Sequence, residues 1–192
     1  MRIIAGEHRG RPLKALKGDV ARPTTDRVRE ALMSTLASTR GGLGGAVVLD
    51  AFAGSGALGL EALSRAAAHA TFYERDAAVL RTLSANVASL GIAETRFALC
   101  RADILKSPPR DAVSPFDIVF LDPPYAYEAS RMGALLCALD EAALLAAEAL
   151  ISYEHAKSDD SAVVQAFGPL QWEIVSHKGY GDTAVDILRR RT

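Results

Sequence analysis

The sequence predicts an α/β fold: a doubly wound, mostly parallel sheet with helices on both faces, preceded by a short hairpin-and-helix extension. Three observations carry that expectation. From residue 46 onward, short apolar runs alternate with stretches at helical spacing. The first of these runs leads straight into a glycine-rich turn, Gly54-Ser55-Gly56-Ala57-Leu58-Gly59. The last two strand-like runs are joined by a link too short for a crossover helix, so the sheet should close on an antiparallel hairpin.

Taken in order, residues 1–17 read as two short strands about the turn-like His8-Arg9-Gly10-Arg11, and Pro23-Thr24-Thr25 breaks into a helix over about 26–38. That helix places Val28, Ala31, Leu32 and Leu36 on one face. Gly41-Gly42-Leu43-Gly44-Gly45 is a flexible joint, the expected boundary between an extension, 1–45, and a main domain, 46–192. Residues 46–52 form a continuous apolar run of the kind buried on both faces of a parallel sheet. A helix over about 57–67, a strand at 70–74 and a helix at 76–90 follow, the last closed by Gly91. Residues 96–100, 116–121 and 150–154 read as three more strands, with a helical alanine- and leucine-rich stretch between 131 and 148. The terminal hairpin pairs 172–177 with 183–188.

A chain with 49% hydrophobic and 23% charged residues has the composition of a soluble globular protein. No apolar run reaches the roughly 18 residues of a membrane span, and residues 1–9 contain no signal-peptide core. A cytoplasmic monomer with no membrane partner is the expectation. Cys100 and Cys137 lack CxxC spacing and read as buried free thiols of a reducing compartment. His8, His69, His155 and His177 show no ligand spacing, so no metal is expected and all four read as solvated or capping side chains. Glu61 and Arg65 read as a helix-surface ion pair, and Arg189-Arg190-Arg191 as a solvated tail.

Charge is distributed unevenly. Residues 1–40 carry nine Lys and Arg against four acids, a net +5 that leaves −6 on the remainder. A basic arm on an acidic body suits a polyanionic partner approached from one side. The glycine turn satisfies G-x-G-x-x-G, and Glu74 follows Gly54 by 20 residues, at the end of the second strand. Glycine there permits positive φ and close approach of a ligand to bare backbone, while an acid in that place can accept from both ribose hydroxyls. The pattern specifies an adenosine-bearing ligand without specifying its chemistry. Asp50, just before the turn, would repel a pyrophosphate and attract an ammonium, and Asp103 after the third strand could accept from an adenine amino group.

The decisive motif follows the fourth strand: Asp122-Pro123-Pro124-Tyr125. Two prolines fix φ and remove two donors, so the segment is rigid and presents carbonyls. Ligands of open parallel sheets bind beyond the carboxyl ends of the strands, which puts Asp122 and the glycine turn on one rim. An aromatic amine is a poor nucleophile because its lone pair is delocalised. Acceptors at Asp122 and a proline carbonyl would return density to nitrogen, and Tyr125 would stack on the base. The two motifs together point to methylation of a base amine by S-adenosylmethionine.

With these residues quoted, the chain resembles the bacterial small-subunit (16S) ribosomal RNA guanine-N2 methyltransferases. The resemblance runs through Arg2-Ile3-Ile4-Ala5-Gly6, Arg9-Gly10-Arg11, the stretch Arg22-Pro23-Thr24-Thr25-Asp26-Arg27-Val28-Arg29-Glu30, the glycine turn extended to Arg65, and Asp122-Pro123-Pro124-Tyr125. It implies a class I methyltransferase (Rossmann-like) sheet of seven strands with an antiparallel C-terminal strand. It also implies S-adenosylmethionine contacts at Asp50, Phe52, Gly54, Gly56, Glu74 and Asp103, and the target amine at Asp122, Pro123, Pro124 and Tyr125. Arg9, Arg11, Lys14, Arg22 and Arg27 are the expected RNA contacts, with ribosomal RNA or an assembling small subunit as partner. Glu154, at the end of the fifth strand, is a further candidate for touching base or cofactor. A DNA amino-methyltransferase shares the Pro-Pro motif but needs a target-recognition domain for which 192 residues leave no room. An NAD-linked oxidoreductase fits the glycine turn and leaves Asp122–Tyr125 without a role.

Overall fold

A computed structural model describes residues 1–16 and 26–191. In chain order the elements are α1 (Asp26–Arg40), β1 (Val47–Asp50), α2 (Ala57–Ser64), β2 (His69–Tyr73), α3 (Ala77–Leu90), β3 (Phe97–Cys100) and β4 (Phe116–Leu121). These are followed by α4 (Ala129–Glu141), β5 (Leu145–Ala156), α5 (Asp160–Phe167), β6 (Trp172–Tyr180) and β7 (Thr183–Arg190). The seven strands form one sheet in the order β3-β2-β1-β4-β5-β7-β6. Strand β7 runs antiparallel to both β5 and β6, and the other neighbouring pairs are parallel. The terminal hairpin is thus as expected, with β7 inserted one place in and β6 left at the edge.

Strand alternation sorts the core into two layers. Val48, Phe72, Ile118, Phe120, Leu150 and Ile187 pack with α1, α2 and α3 through Leu32, Leu36, Leu60, Leu63 and Leu83. Leu49, Val119, Leu121, Ile151, Tyr153 and Leu188 pack on the opposite face with Met132 and Leu136 of α4 and Val163 and Phe167 of α5. The chain winds outward from β1 through β2 to β3, then returns to β4 and winds the other way. The crevice where a doubly wound sheet binds its ligand therefore opens between the ends of β1 and β4. Among the described residues no helix is long and apolar enough to cross a membrane.

Several expectations need correction. The two N-terminal strands reduce to a single bridge, Arg2 to Pro12, flanked by a few backbone hydrogen bonds such as Ile3 N–H to the Arg11 carbonyl at 3.0 Å. The reason is competition: the N–H groups of Ile4 and Ala5 donate to Glu61 at 2.8 and 3.0 Å instead of to a second strand. The helix expected to reach 148 ends at Glu141, and the apolar residues from Leu145 onward extend β5, where Leu145 pairs with Phe116. Alanine and leucine favour a helix intrinsically, but ladder pairing and burial override that preference. Helix α5 was not expected from the sequence pattern. Arg189 and Arg190 belong to β7 and pair with Glu173 and Asp140, so they are not a loose tail.

The extension shares the main core, with Ile3 and Leu13 buried in the same cluster as α1 and α2. Glu61, expected at a helix surface, is completely buried. It accepts from Ile4 and Ala5, pairs with Arg65 Nε at 2.9 Å and lies 3.9 Å from the buried Arg29 Nε. Ser64, one turn further along the same face of α2, takes the His8 N–H on its hydroxyl at 3.0 Å and the Glu7 N–H on its carbonyl at 2.8 Å. Gly6 sits so close to that carbonyl that a Cβ would lie 1.8 Å from its oxygen, and its φ is +83°. Asn86 of α3 completes the docking by accepting from Lys14 N–H at 2.8 Å and donating to the carbonyls of Lys14 and Ser55.

Candidate active site

The glycine turn leaves β1 with Gly54 and Gly56 both at positive φ, +54° and +86°. Packing explains two of its three glycines. A Cβ at Gly56 would lie 2.2 Å from Leu83 Cδ1, and one at Gly59 would lie 2.3 Å from the Phe72 ring. A Cβ at Gly54 would meet nothing closer than 4.0 Å, so only its backbone conformation demands glycine. Leu16 of the arm reaches this turn, its Cδ1 4.0 Å from where a Gly54 Cβ would be. The carboxylate of Glu74, just past β2, accepts from Gly54 N–H at 3.2 Å and Asp76 N–H at 2.7 Å, tying the turn to the start of α3.

A cleft of about 250 Å³ opens beyond β1 and β2, lined by Phe52, Tyr73, Glu74, Arg75, Asp103, Ile104, Pro124 and Tyr127 among others. The sequence-predicted Phe52, Glu74 and Asp103 thus share one wall. Asp103 also accepts from Leu105 N–H at 3.1 Å, which holds its loop. Asp50 lies beneath the turn, outside the cleft lining, with 2% exposure. Its Oδ2 accepts from Gly59 N–H at 2.9 Å, bracing the first turn of α2. Burial pushes its carboxyl up to about 7 against the Gly59 hydrogen bond, with Glu74 adding like charge. Asp50 is therefore divided between its neutral and ionised forms near neutral pH, and a nearby cation would favour the ionised one.

The Asp122-Pro123-Pro124-Tyr125 turn leaves β4 beside this cleft, and Pro124 lines it. Burial raises the Asp122 carboxyl well above its ordinary value, and the neighbouring carboxylates of Glu154 and Asp50 push it further. Tyr125 is 52% exposed and its hydroxyl shares a hydrogen bond of 2.7 Å with Thr183 Oγ1, which anchors one edge of the ring and leaves its face open. The floor of the site is therefore acidic. It suits a ligand bearing an ammonium and a sulfonium and opposes a pyrophosphate, so the residues present fit S-adenosylmethionine.

Two side chains escaped the sequence reading. Tyr127 packs against Phe52 with ring centroids 6.3 Å apart and takes a hydrogen bond of 2.6 Å on its hydroxyl from Arg75. Arg131 covers its ring at 4.7 Å. Tyr127 and Pro124 line both this cleft and a second depression, which Pro123, Tyr125, Tyr153, Glu154 and His155 complete. The available signal was an aromatic two residues past the motif and an arginine beside Glu74. His8, His69 and His155, far from solvated, are buried, and His155 bonds Asp186 at 3.0 Å, with His177 on the other oxygen at 2.6 Å.

Of the expected RNA contacts, Arg9, Arg11, Lys14 and Arg27 are exposed, and Arg22 lies outside the described residues. Arg11 spends one guanidinium nitrogen on the Ser89 carbonyl.

The family described as Conserved hypothetical protein 95 matches residues 1–189. The ribosomal RNA small subunit methyltransferase D of Escherichia coli K12 is 40% identical over 193 residues, covering 99% of this chain and 90% of that protein. The protein of the same name from Haemophilus influenzae is 37% identical, covering 94% and 89%. The solved structure of an Escherichia coli protein described as a methyltransferase, yhhF, superposes with a TM-score of 0.80 at 36% identity, covering 100% of this chain and 98% of that one. Sheet order, motif placement and whole-length similarity agree: the chain belongs to this family, which takes in the ribosomal RNA small subunit methyltransferases D, and carries the class I methyltransferase fold.

Proposed function

We propose that the chain transfers a methyl group from S-adenosylmethionine to the exocyclic N2 amine of a guanine in small-subunit (16S) ribosomal RNA. The observation that carries this reading is the rigid Asp122–Tyr125 turn standing at the lip of an acidic, nucleoside-sized cleft. S-adenosylmethionine, when bound, supplies an electrophilic methyl group on a sulfonium. Glu74 accepts from the ribose hydroxyls, Asp103 from the adenine amino group, and Phe52 packs beside them. Asp50, ionised by the charge it meets, faces the ammonium beneath the Gly54–Gly56 backbone.

Asp122 and a proline carbonyl accept the two hydrogens of the target amine, so its lone pair returns to nitrogen as the centre becomes tetrahedral. A carboxylate whose proton affinity has been raised by burial and by like charge is suited to take the proton that the amine releases. Tyr125 stacks on the extruded base. Arg9, Arg11, Lys14, Arg22 and Arg27 hold the flanking phosphates, which gives the basic arm its part in binding ribosomal RNA or an assembling small subunit.

Mass spectrometry of ribosomal RNA nucleosides from a strain lacking the gene should show one N2-methylguanosine fewer, restored by the wild-type chain. Calorimetry should show binding of S-adenosylmethionine and no binding of NAD. An unchanged nucleoside profile, or NAD binding without a response to S-adenosylmethionine, would overturn the assignment.

A further inference from the structure

Resting on that reading, we propose that Tyr127, held by Arg75, is a positioning residue of the methyl transfer: it sets where the Asp122–Tyr125 turn stands relative to the bound cofactor. The stretch that leaves the end of β4 is held from both sides. On one side the Tyr125 hydroxyl shares its 2.7 Å hydrogen bond with Thr183, at the start of β7. On the other, the Tyr127 hydroxyl accepts from Arg75 Nη1 at 2.6 Å, and the Tyr127 ring lies 6.3 Å from that of Phe52. Arg75 stands just past the end of β2, and Phe52 just past the end of β1. In the sheet order β2-β1-β4-β5-β7, the turn is therefore tied to the two strand ends that bear the cofactor cleft and, across β5, to β7.

Between these ties the backbone is stiff. Two prolines fix φ, and Tyr127 N–H donates to the Pro124 carbonyl at 2.9 Å, so a shift of the tyrosine carries the turn with it. The Arg131 guanidinium, 4.7 Å from the ring centroid, covers Tyr127 from α4. Phe52, Arg75, Pro124 and Tyr127 all line the 250 Å³ cleft, so the tie runs along the wall that the cofactor would meet. In-line transfer needs the amine nitrogen about 3–3.5 Å from the methyl carbon, and a misplacement of about 1 Å costs on the order of 10²-fold. Prolines make the turn rigid within itself without fixing its place beside β1 and β2; the Tyr127 contacts do that. Arg75 is exposed, and an exposed hydrogen bond adds little stability, so removing this one separates alignment from folding.

The test uses the full chain with S-adenosylmethionine and small-subunit RNA, and reads labelled methyl incorporated in a single turnover with both saturating. Tyr127→Phe keeps the ring against Phe52 and Arg131 and removes the hydroxyl; Arg75→Met removes the donor and keeps an unbranched side chain. Each should slow the transfer step by about 10- to 100-fold. The double variant should be no slower than the slower single, because both changes break the same bond. In Tyr127→Phe the affinities for S-adenosylhomocysteine and for RNA should stay within about threefold of wild type, since alignment acts on the transition state. An undiminished rate in Tyr127→Phe would overturn the proposal, and so would losses that multiply in the double variant. A rate that falls only in step with the melting temperature would make Tyr127 merely structural, which also overturns it. Should Tyr127→Phe not fold, the rate of Arg75→Met decides in the same way. Failure of wild type to transfer a methyl group to small-subunit RNA would overturn the functional reading itself, a result seen without any variant.

Discussion

The molecule buries polar groups in two places and treats them in opposite ways. Where the arm docks on α2 and α3, Glu61, Ser64 and Asn86 meet backbone donors and acceptors at ordinary hydrogen-bond distances, and Arg65 lies against Glu61. The buried Arg29 there faces Asp26 at 3.0 Å and Glu61 at 3.9 Å, although its Nε and Nη1 make no hydrogen bond among the described residues. At the ends of β1, β4 and β5, the carboxyls of Asp50, Asp122 and Glu154 stand on one face, and the first two are raised by burial and by their acidic neighbours. Satisfied buried polar groups define a structure, whereas buried carboxyls of raised proton affinity grouped beside a cleft mark a candidate functional site.

The comparison breaks most sharply at Glu61. Glu61→Ala leaves the N–H donors of Ile4 and Ala5 without their acceptor and removes the carboxylate that faces the buried Arg29, and should cost about 3–5 kcal/mol. That corresponds to a fall in melting temperature of about 6–20 °C, measurable by calorimetry. A small change would mean that the arm docks through apolar contacts such as Ile3 and Leu13 instead.

At the rim the expected effect is catalytic. Asp122→Ala should slow methyl transfer by about 10²- to 10³-fold or more, since its proposed partner is the substrate amine. Cofactor affinity should stay near wild type, and the melting temperature should hold or rise, because the change removes a desolvated carboxyl. Retained turnover, measured as labelled methyl incorporated into RNA, would remove Asp122 from the chemistry.

Asp50 sharpens the contrast through pH. Its folded-state carboxyl titrates near 7 against an ordinary value of 3.8, so the ligand-free folded state holds a proton that the unfolded chain has released. Stability contributed by that group is present at low pH and is lost as pH rises through 7, with a slope of at most about 1.4 kcal/mol per unit. Asp50→Asn keeps an acceptor for Gly59 N–H and should flatten this slope in denaturation curves taken from pH 4 to 8. A persistent slope would place the titration on another group.

The smallest effect concerns the outward side of the arm. Replacing Arg9, Arg11 and Lys14 together by neutral residues should reduce the log–log salt slope of RNA binding by about 0.7–0.9 for each lost phosphate contact. Melting temperature should fall only slightly, through the exposed Arg11 bond to the Ser89 carbonyl, since the docking bonds at Lys14 come from its backbone. An unaltered slope would make these cations a solvated surface.

The sequence by itself determined the strand–helix alternation, the terminal hairpin and the two motifs, because local propensity, turn chemistry and periodicity are written within a few residues of each element. Asp122, Glu74 and the glycine turn were legible for the same reason: each stands at a strand end, where a parallel sheet presents its ligands. Only the tertiary structure decided what pairs with what across long separations. It turned Glu61 from an apparent surface residue into the buried acceptor of a segment more than 50 residues earlier, extended β5 through an alanine-rich stretch of helical propensity, and set Glu154 beside Asp122. It also gave Asp50 its raised carboxyl and placed Tyr127 on the lining of both the cleft and the second depression. Burial and strand register belong to the assembled sheet, and no local pattern of residues encodes them.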